Sequence, residues 1–342
     1  MKIQNTKDIR AFFERCKSNM IHDTKNDFLG LKVTKDNEKS IQRKMKKAGF
    51  QEFDGPESTW PSLFLSTDDF ISNLYHQNIR IEQIEDDNIR LSSETILSNQ
   101  LFNLSGIIFD KDKELNDWMM LRALDKPYKA TVLMIDQQVW MLDVPGEAHT
   151  MDPIARKAHG DILVFGLGIG YYIYMAMLNP QVTSITVIER SSSIIDLFNK
   201  HLLPHFPLNI SLQIICGDAF DHFHKEVIER YDHVFVDIYQ SSEDGYQMIE
   251  KMLMKYLPTV DKVDFWIENS CFEFLPALIL LYFEAITFKE DPSHDDPFYQ
   301  HMFDKIHQHF KKIDTVVYDV PTLKDMMYDR DILRTISSVI VD

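Results

Sequence analysis

Five short apolar runs alternate with helical stretches between residues 161 and 267, and that alternation leaves few folds open. The runs are Asp161–Phe165 (DILVF), Ser184–Ile188 (SITVI), Leu212–Ile215, Asp232–Val236 (DHVFV) and Lys262–Ile267. Helices are predicted among them at about Tyr171–Leu178, Ser193–Leu203 and Tyr246–Tyr256. A run that is apolar throughout, rather than at every second residue, suits a strand buried on both faces. Such strands, alternating with helices, build a parallel sheet covered on both sides. The predicted fold class is therefore α/β: a doubly wound, Rossmann-like, mostly parallel sheet with helices on both faces. Two further strands, Thr131–Asp136 and Val139–Asp143, flank Gln137-Gln138 ahead of it, and a late strand falls at Thr315–Tyr318. This domain is expected over 126–342, with the leading hairpin in front and helices at its C-terminal end.

Residues 1–125 read as a smaller, mostly helical N-terminal module. Thr6-Lys7-Asp8 opens a stretch with Ile9, Phe12, Phe13 and Cys16 at helical spacing. A second helix is expected over Ser40–Ala48, closed by Gly49. Ser66-Thr67-Asp68-Asp69 is a capping signal for a helix carrying Phe70, Leu74 and Tyr75. Ile79–Ile84 and Ile89–Leu91 flank Glu85–Asn88 as a hairpin, and more helix is predicted from about Glu94 to Leu124. None of these residues carries recognisable chemistry. The expectation is a cap or oligomerisation element, with a homodimer left open.

The chain carries 53 Asp and Glu against 36 Lys and Arg, a net charge of −17. Most of such a surface repels a phosphate backbone, which is bound through Lys and Arg, so nucleic acid is not an expected partner. The basic run Arg43–Lys47 reads as a solvated helix face. Cys16, Cys216 and Cys271 stand far apart with no C-x-x-C pair, which argues against a zinc knuckle or a disulfide framework. No metal is expected, and reduced thiols suit a cytoplasmic setting. The first residues lack the apolar stretch of a signal peptide, and the longest apolar run, Phe274–Phe283, is broken by Pro276. It is too short to span a bilayer, so no membrane partner is expected.

Chemistry concentrates at the strand ends. Gly166, Gly168 and Gly170 form Phe165-Gly-Leu-Gly-Ile-Gly-Tyr171 between a strand and a helix. Glycines there permit a sharp turn and let a ligand touch the backbone. Glu189 ends the second strand, where an acidic side chain accepts hydrogen bonds from ribose hydroxyls. Asp218-Ala219 follows the third strand, where a carboxylate can meet an adenine amino group. Asp237 ends the fourth, in VFVDIY, ahead of Tyr239 and the polar stretch Tyr239–Gly245. Glu268 and Asn269 close the fifth on the same edge. Open α/β sheets bind ligands at this carboxyl edge. The dinucleotide pattern G-x-G-x-x-G is not met, because Tyr171 and Ile173 stand where its third glycine would fall.

FGLGIGYY, VIER, CGDAF and DHVFVDIY together resemble the motif series of class I S-adenosylmethionine-dependent methyltransferases over about residues 130–270. Within that superfamily the hairpin Leu133–Asp143 and the phrase Glu147-Ala148-His149-Thr150-Met151 are most similar to spermidine synthases, the aminopropyltransferases. The resemblance implies S-adenosylmethionine as cofactor. Gly166, Gly168 and Gly170 would line its methionine part, Glu189 would bind the ribose, and Asp218 and Ala219 would meet the adenine. Asp237 would orient or deprotonate the acceptor, with Tyr239 as lid or wall. Aminopropyltransferases carry an aspartate inside the glycine turn and a second one soon after the fourth strand, and this chain has neither. The expected activity is methyl transfer to a small-molecule or protein acceptor. Aminopropyl transfer from decarboxylated S-adenosylmethionine and non-catalytic binding of a nucleoside cofactor are the alternatives.

Overall fold

The computed structural model describes residues 1–79, 83–86 and 89–341. Its central sheet has five strands: β1 (Gly160–Phe165), β2 (Val182–Glu189), β3 (Ser211–Cys216), β4 (His233–Val236) and β5 (Val263–Phe265). Their order across the sheet is β3-β2-β1-β4-β5, and every neighbouring pair is parallel. The direction of winding reverses between β1 and β4, so the carboxyl ends of those two strands open a crevice. Ile162–Phe165 and His233–Val236 are buried on both faces, as their unbroken apolar runs require.

The longer helices among these strands are α1 (Tyr171–Met177), α2 (Ser192–Leu197) and α3 (Ser242–Lys255), with single turns at Ala219–His222 and Lys225–Ile228. The stretch read as one helix to Leu203 changes character at Phe198, where a π-type turn runs to Leu202. A helix that drew no notice in the sequence, Pro145–Lys157, joins the hairpin to β1. Four more helices, Leu275–Phe288, Pro297–Phe310, Val320–Tyr328 and Arg330–Ser338, complete the C-terminal part. No helix among the described residues is long and apolar enough to cross a membrane.

The N-terminal residues divide among three cores, one of them the small cluster of Leu124, Tyr128 and Ala130 with Leu65, Ile96 and Phe102 packed on it. The helix Lys7–Ile21, capped by the Thr6 hydroxyl, buries Ile9, Phe12, Phe13 and Cys16 in the same core as the central sheet. Strand Lys2–Ile3 pairs in parallel with Val316–Val317, which ties the two ends of the chain together. A separate small core gathers Phe28, Ile41, Met45, Phe50, Phe53, Leu101 and Leu121.

The helix expected from Glu94 to Leu124 is absent. Strand Ile89–Ile96 runs through its start and pairs antiparallel, over eight residues, with strand Tyr128–Ile135. The rest is loop, a short 3-10 turn and the strands Phe102–Asn103 and Leu121–Leu124. Long-range pairing overrides local helical preference here. This four-stranded sheet draws strands from both sides of position 125. Strand Gln138–Leu142 closes it through a turn at Asp136-Gln137, both at positive φ. On the other side, Ile84–Asp86 pairs with Ile89–Leu91, so Glu85 and Asp86, expected in the turn, belong to the strand, and Ile79, expected in the strand, is the C-cap of the helix Leu74–Asn78; residues 80–82, 87 and 88 lie outside the described residues. The helix signalled at Ser66 ends at Ile71, and Asn73 caps a second one, Leu74–Asn78.

Candidate functional site

The glycine turn leaves β1 at Phe165 and is fastened on three sides. Gly166 N–H donates to the Ile188 carbonyl at 3.0 Å, and Asp237 N–H donates to the Phe165 carbonyl at 2.9 Å. Tyr75 Oη, buried, donates to the Ile169 carbonyl at 3.0 Å, so the helix Leu74–Asn78 pins the turn from outside. His76 of that helix lies 2.7 Å from Asp143 at the end of the hairpin.

The three glycines differ in what holds them. Gly166 has φ +99°, and a Cβ there would strike the Asp237 backbone, whose carbonyl carbon would lie 3.0 Å away. Gly168 has φ +50° and faces the Met141 sulfur. Gly170 has φ +75° at the start of α1, and a Cβ would meet the rings of Phe198 and Phe206 at 2.6 and 2.7 Å. Gly166 and Gly168 line a cavity of about 470 Å³; Gly170 lies behind it, against core aromatics.

That cavity opens at the carboxyl edge of the sheet and gathers residues read at the ends of the first four strands, but not Glu268 or Asn269 of the fifth. Glu189, Asp218, Ala219, Asp237 and Tyr239 all line it. Glu189 Oε2 accepts from Leu167 N–H at 3.1 Å and Oε1 accepts from Ser191 N–H at 2.7 Å. Each oxygen keeps acceptor capacity beyond that bond. Asp218 Oδ1 accepts from Phe220 N–H at 2.8 Å and so caps the single turn Ala219–His222. Burial pushes the Asp237 carboxyl up to about 7.

Tyr239, expected as lid or wall, is buried and held at both its hydroxyl and its ring. Its hydroxyl donates to the Trp266 carbonyl, and its ring stacks on Trp266 with centroids 6.0 Å apart. It is a fixed wall. The stretch Tyr239–Gly245 is not an open loop either, because α3 begins at Ser242 with a capping box between Ser241 and Asp244. Gly245 lies inside that helix, where a Cβ would meet Cys271 Sγ at 2.6 Å and the Tyr239 ring at 2.9 Å, so its lack of a side chain serves packing. Glu268 is withdrawn from the site: it is buried between Arg330 and Arg334, which hold its carboxyl low. Strand β5 ends three residues earlier, at Phe265, and the chain turns at Ile267 through φ +43°.

Two kinds of cavity residue were not legible as such. Glu147, in the first turn of the helix Pro145–Lys157, accepts from Leu142 N–H at 3.2 Å through Oε1, while its buried Oε2 has no partner. Burial and the Asp237 charge push its carboxyl up to about 8. Trp140, Met141, Met151 and Trp266 supply apolar wall. The Trp266 indole N–H donates to Thr150 Oγ1 at 2.9 Å, which fixes the ring. Among the described residues, six carboxylates line the cavity, from Asp136, Glu147, Glu189, Asp218, Asp237 and Asp244, against one guanidinium, Arg190.

These residues fit an adenosyl sulfonium group. The volume is within the usual range for small-ligand sites of roughly 300–1,000 Å³. Glu189 offers acceptors beside a turn whose glycines leave the backbone accessible, and carboxylates surround the place where a cation would lie.

The parallel order β3-β2-β1-β4-β5, with the glycine turn after β1 and acids after β2, β3 and β4, defines a class I methyltransferase-like, Rossmann-like fold. No family model matches the chain. No curated protein matches it by sequence. Among solved structures it is similar to a spermidine synthase from Thermotoga maritima, at 12% identity and TM-score 0.28 over 51% of this chain and 50% of that one. It is also similar to a spermidine synthase in complex with the transition state analogue AdoDATO, at 12% identity and TM-score 0.29 over 51% and 52%. A putative SAM-dependent methyltransferase from Streptococcus mutans matches at 13% identity and TM-score 0.28 over 47% and 49%. The match spans about half the length of each of these chains.

Proposed function

We propose that this chain is an S-adenosylmethionine-dependent methyltransferase acting on a small-molecule acceptor. The observation that carries the reading is the meeting of Gly166, Gly168, Glu189, Asp218, Ala219 and Asp237 in one cavity at the switch point of the sheet. Bound there, the cofactor supplies an alkyl carbon activated by a sulfonium. Glu189 accepts from the ribose hydroxyls through lone pairs its two backbone donors leave free. Gly166 and Gly168 let the methionine part approach the main chain, and Asp218 with Ala219 borders the adenine. Gly170 contributes by shaping the turn from behind. Asp237 orients the acceptor, and with its carboxyl near 7 it can take up a proton at neutral pH. Tyr239 and Trp266 wall the acceptor end and exclude water.

Aminopropyl transfer is the second reading, and one observation favours it. A lining of six carboxylates and one guanidinium suits a donor that has lost its own carboxylate. The leaving product separates the two. Incubation with amine, alcohol and thiol acceptors and either donor is followed by mass spectrometry of the nucleoside product. S-adenosylhomocysteine from S-adenosylmethionine supports methyl transfer. Methylthioadenosine, formed only from the decarboxylated donor, replaces that reading with aminopropyl transfer. Tight binding of donor with neither product leaves a binding protein.

A further inference from the structure

Resting on that reading of the site, we propose that His76 is a positioning residue that, through Asp143, holds the hairpin over the glycine turn and so sets the affinity for the donor. The hairpin is that of the strands Tyr128–Ile135 and Gln138–Leu142. Its Gln138, Trp140 and Met141 line the cavity together with Gly166, Leu167 and Gly168 of the turn. The two walls come close at Gly168, where a Cβ would sit 2.6 Å from the Met141 sulfur.

Both walls are fastened to one short helix, Leu74–Asn78, by neighbouring residues. Tyr75 Oη donates to the Ile169 carbonyl in the turn at 3.0 Å. His76 Nε2 lies 2.7 Å from Asp143 Oδ1 at the end of the hairpin. A carboxylate only accepts, so the proton between them belongs to Nε2. Adjacent Cα atoms are about 3.8 Å apart, so turn and hairpin share a single support. Neither Tyr75 nor His76 lines the cavity, and both act through what they hold.

The support is itself fixed. Asn73 Oδ1 accepts from His76 N–H at 2.9 Å, Asn78 donates to Tyr174 Oη of α1 at 2.6 Å, and the Phe70 ring lies against the imidazole with centroids 4.4 Å apart. Asp143 is bound into the hairpin by its main chain: its N–H donates to the Thr131 carbonyl at 2.9 Å, and its carbonyl accepts from Tyr128 Oη. A shift of Asp143 therefore carries the strand Gln138–Leu142 with it. The His76 and Asp143 side chains are only 8% and 7% exposed, and among the described residues the Asp143 carboxylate has no other side-chain donor. A buried carboxylate without a donor is costly, and Asp143 can regain water only by taking the hairpin end outward. The donor binds molecules whose hairpin is seated, so its apparent affinity falls with that fraction; a hairpin seated in about a tenth of molecules weakens binding about tenfold.

The test is calorimetric titration of the full chain with S-adenosylhomocysteine, paired with hydrogen exchange of the free protein. His76→Phe keeps a ring against Phe70 and removes the N–H donor, whereas His76→Gln restores one at the reach of Nε2. We expect S-adenosylhomocysteine to bind His76→Phe at least about tenfold more weakly than wild type, and His76→Gln within about threefold of wild type. Amides of Gln138–Leu142 should exchange about tenfold faster in free His76→Phe and at the wild-type rate in His76→Gln. If His76→Phe does not fold, Asp143→Ala opens the same tie without stranding a charge, and the same loss of affinity is expected. A residue that serves stability alone would lower the melting temperature and leave the affinity of the folded variant unchanged. That result, or equal weakness of His76→Gln and His76→Phe, overturns the proposal while leaving the cofactor reading intact. Wild type that does not bind S-adenosylhomocysteine overturns the cofactor reading and the role in binding with it. The exchange measurement needs no ligand, so unchanged exchange in His76→Phe overturns the hold on the hairpin by itself, and the two failures are told apart.

Discussion

Replacing Gly166 by alanine should unfold the turn more easily than replacing Gly168, although the two glycines look equivalent in sequence. Gly166 sits at φ +99°, outside the left-handed basin that an L-residue tolerates, and such strain costs roughly 1–3 kcal/mol. Its new Cβ would also strike main chain, the Asp237 carbonyl, which has no rotamer to move aside. Relief requires the turn after β1 to move away from the end of β4, at the expense of the bonds that fix it to both neighbours, Asp237 N–H to Phe165 and Gly166 N–H to Ile188. At about 1 kcal/mol net for each, the total for G166A is about 3–5 kcal/mol. Gly168 lies inside the left-handed basin at φ +50°, and its Cβ would meet only the Met141 side-chain sulfur at 2.6 Å. A flexible methionine can swing away, so G168A should cost about 1–2 kcal/mol. The gap of about 2 kcal/mol corresponds to roughly 3 °C in melting temperature. Differential scanning calorimetry of both variants reads it directly. G166A melting at or above G168A would refute the close approach of the turn to β4.

Other consequences can be measured on the same protein. Asp237→Asn keeps the shape of the cavity, so affinity for S-adenosylmethionine should stay within about threefold while turnover falls roughly 10²–10⁴-fold; retained turnover would remove Asp237 from the chemistry. Glu147 holds its proton more tightly folded than unfolded, so its charging costs stability as pH rises from about 4.5 towards about 8. Glu147→Gln lacks that penalty and should gain stability relative to wild type across this window in urea titrations; a difference that shrinks with pH would contradict the assignment. Tyr75→Phe leaves the buried Ile169 carbonyl unpaired and should cost about 1–3 kcal/mol by the same titrations, with no loss predicted for Tyr75→Phe if the turn were held by β1 alone.

The central sheet was legible because β1, β2 and β4 are buried along most of their length and read as apolar runs, while the edge strand β3 is only partly buried. The acids at its carboxyl edge were legible for a related reason. Each stands at or just past a strand end, so Glu189, Asp218 and Asp237 are positioned by strands whose ends the sequence marks. Ile89–Ile96 was not, since its strand character comes from pairing with Tyr128–Ile135, which local periodicity cannot see. Glu147 was read only as part of a phrase, because its meaning depends on a helix that carries it to Asp237 from a distant segment. Glu268 stood at a strand end like the others, but Arg330 and Arg334, some sixty residues on, claim it. Gly170 fits the motif yet faces Phe198 and Phe206, which only the packing reveals.

Calorimetric titration of wild type and Glu189→Ala with S-adenosylmethionine, its decarboxylated form, S-adenosylhomocysteine and NAD tests the cofactor assignment most directly. The account predicts that wild type binds S-adenosylmethionine and S-adenosylhomocysteine in preference to NAD, and that Glu189→Ala weakens both at least tenfold through the lost ribose contact. Binding of none of the four, or binding indifferent to Glu189, would contradict it and leave the glycine turn as a structural feature of the sheet.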